Sequence, residues 1–145
     1  MNSNNTASAP KWFTIVAIIA LVWNLLGVMA FAMHVTMTPE AIAALPDAER
    51  ALYESYPAWT LIAFACAVIG GALGSLLLVL KKNLAGPVLW VSLVGVLVQM
   101  GHSFFIAKSY EVYGPGSTIM PIMVIVIAVY LVVLAGRAKK SGWTG

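Results

Sequence analysis

The chain has 145 residues, of which 61% are hydrophobic and only 9% are charged. A soluble domain carries about 25% charged residues, so this composition excludes the soluble globular class and predicts a single-domain membrane protein. The net charge of +3 is not gathered into a basic patch with interleaved aromatic residues, which argues against nucleic-acid binding. The single cysteine, Cys66, excludes an intramolecular disulfide.

Four apolar segments are long enough to cross a bilayer as helices, since ~20 helical residues cover its hydrocarbon core of ~30 Å. They lie at about residues 13–33, 59–80, 84–106 and 119–136. Lipid offers backbone groups no hydrogen-bond partner, so such runs must be helical. We therefore predict an all-α integral membrane protein, a four-transmembrane-helix bundle over residues 11–137. A disordered tail (1–10) is expected before it and a basic tail (138–145) after it.

Charge at the span ends predicts the orientation in the membrane. Six basic residues flank the ends on one side: Lys11, Lys81, Lys82, Arg137, Lys139 and Lys140. Arg50 and Lys108 lie on the other side together with all five acids. Because cytoplasmic loops carry the excess of Lys and Arg, both termini are expected in the cytoplasm. The expected location is the cell inner (plasma) membrane, as a multi-pass protein.

The first outer loop contains the start signals of short helices. Thr38 is a suitable N-cap, Pro39 suits the first helical position, and Glu40 adds an acid to the first turn. Pro46 ends that turn, and Asp47 is expected to cap a second short helix that runs through Tyr56. These helices either lie in the membrane interface or form a soluble cap over the bundle.

The second span repeats small residues at four-residue spacing. The set comprises Ala63, Ala67, Gly70, Gly71, Gly74 and Ser75. Small residues let helix backbones approach closely in lipid, so helix packing is the expected purpose, and a backbone-lined passage is the alternative. The short connection 81–83 makes the second and third spans antiparallel neighbours.

The first and third spans share a pattern of residues. Four positions of the first span match four of the third at identical spacing: Asn24, Gly27, Phe31 and His34 against Ser92, Gly95, Gln99 and His102. At about 100° per residue, each set falls on one helix face. A duplication that produced a parallel repeat would explain the match, and so would chance.

Polar side chains inside the apolar runs are the candidate site. Such groups are costly in lipid unless they face the bundle interior and find partners. Asn24, Gln99 and His102 are expected to form a polar pocket with an outer mouth. The aromatic residues expected to line it are Trp23, Phe31 and Tyr130. The alternative is that Asn24 and Gln99 hydrogen-bond to each other and only join two helices.

Other chemistry is less well supported by the sequence. His34 and His102 with Met33 are an alternative metal or haem site, although methionine is an ordinary filler of helix contacts. No metal ligand set and no cofactor are expected. The sequence contains no nucleophile–base pair, phosphate-binding glycine loop or paired intramembrane carboxylates, so an enzyme is not expected.

Three motifs carry a family resemblance: WNLLGV at Trp23–Val28, MTPE at Met37–Glu40 and QMGHSFF at Gln99–Phe105. With them, nearly the whole chain resembles a small uncharacterised family of bacterial four-span proteins often labelled "sugar transporter". At the level of fold it is also similar to DoxX-like four-helix membrane proteins. The family label implies transport.

The function expected from residues and resemblance is binding or passage of a small uncharged polar solute, such as a sugar. Four helices enclose little volume, so a homo-oligomer is expected. One alternative is an accessory or structural membrane subunit that docks a partner through the small-residue face of the second span. The other alternative is the metal or haem protein.

Overall fold

A computed structural model describes residues 8–145 of the chain. Four long helices are apolar enough to cross a membrane, and together they confirm the predicted four-helix membrane bundle. They are α1 (Lys11–Val35), α4 (Ala58–Val79), α5 (Ala85–Gly101, extended by a π-helical turn His102–Ile106) and α7 (Ile119–Lys140). The shorter helices are α2 (Pro39–Ala43), α3 (Asp47–Ser55) and α6 (Ser109–Tyr113), with a 3₁₀ turn at Pro115–Thr118. Within residues 8–145 there is no β-strand.

The ends of the predicted tails differ from the structure. Most of the first tail, residues 1–7, lies outside the described residues. The last helix continues through Lys140, so the predicted basic tail begins inside α7. Beyond it the chain folds back, where the Gly145 amide donates to the Lys81 carbonyl at 2.9 Å and the Thr144 hydroxyl donates to Asn83 Oδ1 at 2.7 Å.

Helix starts follow local sequence signals. The Thr38 hydroxyl accepts a hydrogen bond from the Ala41 amide at 3.1 Å, which confirms the predicted N-cap of α2. The predicted cap of α3 is wrong, because Asp47 is already the first residue of the helix and Pro46 precedes it. Proline holds φ near −65° and cannot continue a preceding helix, so its extended conformation sets the start. Asp47 acts instead as an acid in the first turn.

The spanning helices pack in the order α1 on α4, α4 on α5 and α5 on α7. We call the end with Lys11, Lys81 and Arg137 the basic end, and the end with α2, α3 and α6 the cap end. At the basic end all four helices contribute to one buried cluster, which includes Phe13, Ala17, Leu78, Leu89, Leu134 and Ala138. This cluster closes the bundle at the basic end.

The small-residue face of the second span is buried inside the chain itself. A Cβ atom on Gly95 of α5 would lie only 2.8 Å from the Ala63 carbonyl oxygen and the Ala67 amide nitrogen of α4. A Cβ on Gly70 would lie 3.1 Å from the side chain of Ser92. Close backbone approach therefore explains these residues, as the spacing predicts. Within the chain, α5 and α1 cover this face.

A candidate ligand cavity between the spans

A cavity of about 380 Å³ lies between α1, α4, α5 and α7. This volume falls at the low end of the roughly 300–1,000 Å³ typical of small-molecule sites. The lining residues are Trp23, Asn24, Leu26, Gly27, Ala30, Phe64, Ala67, Val68, Leu89, Ser92, Val96, Gln99, Met100, Met120, Val124, Ile127, Ala128 and Leu131. None of these described lining residues is charged, and most are apolar.

The cavity has a closed floor and an open side. Leu89 and Leu131 line it at the basic end, and both belong to the buried cluster that closes the bundle there. Leu26 of α1 and Met120 of α7 also line it, yet they are 53% and 58% exposed. The open side therefore lies between α1 and α7, and it extends from Leu26 inside the apolar run to Met120 at the start of α7. At ~1.5 Å per residue, Leu26 is roughly 22 Å along α1 from Lys11.

Asn24 is held by the helices around it. Its Nδ2 atom donates to the Ala20 carbonyl at 2.9 Å and to Ser75 Oγ of α4 at 3.1 Å. The carboxamide lies directly against Gly71, where a Cβ atom would come within 2.8 Å of Asn24 Cγ. The expected alternative pairing of Asn24 with Gln99 is not formed, because Ser75 is the interhelical partner. Sequence reasoning counted Ser75 only as a small residue and missed its hydroxyl as the acceptor.

Gln99 is the polar side chain of the cavity wall that can still both donate and accept a hydrogen bond. Ser92 Oγ donates to the Ala67 carbonyl at 2.6 Å, so this hydroxyl also serves the α4–α5 contact. Gln99 is half-buried and lines the cavity, and its amide has no hydrogen-bond partner in the part of the chain that the structure describes. The cavity thus offers one neutral group that can both donate and accept.

Of the three aromatic residues predicted to line the cavity, only Trp23 does so among the described residues. Trp23 lines the cavity together with Asn24 and Gln99. Phe31 does not line it and packs edge-on against Phe64, with ring centroids 5.1 Å apart. Tyr130 is 46% exposed on α7 and also lies outside the cavity wall, since Ile127, Ala128 and Leu131 occupy the inward face.

His102 belongs to an aromatic contact beyond the cavity. Its ring lies 5.0 Å from that of Tyr56, the residue directly after α3, and 5.2 Å from that of Trp59. The side chain is 5% exposed, and its Nδ1 atom has no partner among the described residues. The π-helical turn begins here, where the Ala107 amide donates to the His102 carbonyl at 2.8 Å. Such turns are frequent at functional sites.

His34 makes the matching contact from α1. Its ring lies 4.9 Å from that of Tyr53 in α3, and the Tyr53 hydroxyl donates to the His34 carbonyl at 3.0 Å. Each histidine of the internal pattern therefore packs on a tyrosine of the first outer loop, Tyr53 within α3 or Tyr56 directly after it. The two imidazoles contact different aromatic partners, and Met33 is 67% exposed. Among residues 8–145, no three His, Cys, Asp or Glu side chains are grouped to hold a metal ion.

No family model, curated protein or solved structure matches this chain. The sugar-transporter and DoxX-like resemblances therefore remain expectations drawn from the sequence. The cavity and its neutral polar group are the observations from which a function can be inferred.

Proposed function

We propose that this membrane protein binds a small uncharged molecule inside the bilayer. The observation that carries the proposal is the cavity of about 380 Å³ with Gln99 as its free hydrogen-bonding side chain. A charged molecule would need a counter-charge in such an apolar site, since an isolated charge is very costly to bury. The described lining residues offer none, so an uncharged molecule fits best.

The mostly apolar lining of the cavity favours a ligand that is less polar than a sugar. Every hydroxyl of a sugar that enters an apolar site without a partner costs free energy. Asn24 Nδ2 and Ser92 Oγ already donate to groups of the chain, which leaves Gln99 as the lining side chain that can still both donate and accept. A mostly apolar molecule with one or two hydrogen-bonding groups meets this wall better. Sugar transport stays a prediction of the family resemblance.

Binding is better supported than passage. The cluster containing Phe13 and Leu89 closes the cavity at the basic end, so transport would require a second conformation in which this cluster separates. Residues of one chain form all the described walls of the cavity, and binding therefore does not depend on the homo-oligomer expected from the sequence. Oligomerisation is a separate proposal, which native mass measurements test.

Ligand-induced stabilisation tests the proposed function. Purified protein in mild detergent is unfolded thermally with a panel of neutral compounds, from glucose and glycerol to long-chain alcohols and amides. A ligand at 100 times its Kd stabilises the folded state by about 2.7 kcal/mol. Ala128→Phe fills the cavity and should abolish the shift, whereas Val126→Phe, at a 60% exposed position outside the cavity wall, should keep it. Shifts that survive in Ala128→Phe, or none with any compound, would count against the proposal.

A further inference from the structure

We infer that the ligand is a neutral single-chain amphiphile that enters sideways from the lipid, through the gap between α1 and α7. This inference rests on the proposed function and names the ligand class and the entry route of the same cavity. The volume of about 380 Å³ suits one such molecule.

The position of the mouth indicates entry from lipid. Leu26 and Ala30 of α1 and Met120 of α7 are exposed and also line the cavity. Leu26 lies roughly 13 Å from the end of α1 at Val35, well inside the apolar run. A molecule that leaves through this gap beside Leu26 passes into the hydrocarbon around the apolar run and does not cross water.

The cap end lacks a comparable opening beside α1 and α4. Phe64 lines the cavity there, and the rings of Phe31 and His34 lie 5.1 and 6.0 Å from it. Tyr53 of α3 packs on His34 in turn. Across the ends of α4 and α5, the rings of Trp59, His102 and Tyr56 form a second group. These aromatic contacts close the cavity toward the cap end on the side of α1, α4 and the end of α5.

The chemistry of the wall orients the ligand. Gln99 and Met100 lie toward the cap end of α5, and Leu89 lies about 15 Å deeper at ~1.5 Å per residue. A hydroxyl, carbonyl or amide group at Gln99 therefore leaves an alkyl chain pointing to the floor at Leu89 and Leu131. An alkyl chain gains free energy in proportion to the apolar area it buries, and one hydrogen bond fixes its direction.

Photolabelling in vesicles tests this inference. The protein is reconstituted into phosphatidylcholine vesicles with a photoactivatable, alkyne-tagged long-chain alcohol, and the labelled peptides are mapped by mass spectrometry. Label is expected on the cavity-lining segments, with competition by untagged long-chain alcohol and none by glucose. Leu26→Trp blocks the mouth and should lower this label severalfold. Leu25→Trp, at an equally exposed neighbour outside the wall, should leave it unchanged. Gln99→Leu should weaken competition roughly twofold to tenfold, the value of one hydrogen bond.

The outcomes separate the inference from the proposed function. If Ala128→Phe abolishes labelling but Leu26→Trp does not, the cavity is a binding site and the lateral route is wrong. If glucose or glycerol competes and the alcohol does not, the ligand class is wrong and the proposed function stands. If labelling of the wall is equal in wild type and Ala128→Phe, both fail. A disulfide-linked dimer of the Cys66→Ser, Leu26→Cys variant would show that a second copy covers the gap, which also overturns lateral entry.

Discussion

The carboxamide of Asn24 donates a hydrogen bond to the hydroxyl of Ser75, 3.1 Å away across the contact between α1 and α4. This bond places the most deeply inserted polar residue of α1 in a structural role. Gln99 of α5, which also lines the cavity, is the side chain that can still both donate to and accept from a ligand. Asn24 and Gln99, which the sequence predicts as parts of one polar pocket or alternatively as a hydrogen-bonded pair, therefore have different roles.

A double-mutant cycle of Asn24→Ala and Ser75→Ala measures the structural bond. In membrane proteins, double-mutant cycles give an interaction free energy of about 0.6 kcal/mol on average, and at most about 1.7 kcal/mol, for an interhelical hydrogen bond. We expect a coupling in this range from unfolding in mixed detergent micelles. The matched cycle of Asn24→Ala with Gln99→Ala should give no coupling. A clear coupling between Asn24 and Gln99 would mean that the expected interhelical pair forms after all.

Gly95 determines how closely α4 and α5 approach. Because a Cβ would lie 2.8 Å from two backbone atoms of α4, Gly95→Ala must push the helices apart. Overpacking of this kind costs typically about 1–3 kcal/mol of unfolding free energy. Gly136→Ala is the control, since a Cβ there meets nothing within 4 Å and alanine favours the helix by about 1 kcal/mol. Equal stability of the two variants would contradict the close packing.

The titration of Tyr113 in α6 reports on the packing of the short helices at the cap end. Burial raises the pKa of Tyr113 above its usual 10.0, and the charges of Glu49 in α3 and of ionised Tyr56 raise it further. The resulting stabilisation is complete below pH 10 and is lost as the pH rises through the folded-state pKa. Glu49→Gln should lower this pKa only part of the way, because burial is the larger cause.

Ultraviolet difference titration against Tyr113→Phe isolates this phenol from the other tyrosines. Glu40→Gln, which removes an acid of α2, is the control and should leave the pKa unchanged. A full return to the usual value in Glu49→Gln would show that charge dominates over burial. No change at all would show that the charge of Glu49 has no effect on the Tyr113 phenol.

The predicted orientation is tested by labelling single cysteines from one side of the membrane. In a Cys66→Ser background, Glu54→Cys lies at the cap end and Lys82→Cys at the basic end, and both positions are exposed. An impermeant maleimide added to intact cells should label Glu54→Cys, and Lys82→Cys only after permeabilisation, since basic loops stay in the cytoplasm. The reverse pattern would place the cap inside the cell.

The sequence predicts the fold well because its signals are local. Each span is a continuous apolar run, and Thr38 bonds to a residue three positions away, so neither depends on the tertiary fold. The partner of Asn24 is non-local, since Ser75 is distant in the chain and acts only because Gly71 lets the carboxamide approach. Periodicity indicates which helix face a residue occupies and does not identify its partner.

The wall contributed by α7 could not be predicted for a related reason. The run from Ile119 to Leu134 is apolar on every side, so nothing in it distinguishes the face at Ala128 from the face at Tyr130. Packing on α5 sets the rotation of this helix and turns Tyr130 outward. His102 is buried, as its predicted position on the inward face of the helix implies. Its contact with Tyr56 could not be predicted, because it depends on how the outer loop folds.

Native mass spectrometry of the protein extracted from membranes in mild detergent tests the central claim most directly. Wild type and the control Val126→Phe should carry one small neutral adduct that collisional activation removes. The adduct should be absent from Ala128→Phe and depleted in Gln99→Leu. Identical adducts in wild type and in Ala128→Phe, or none in any of the four proteins, would contradict binding in the cavity between the spans.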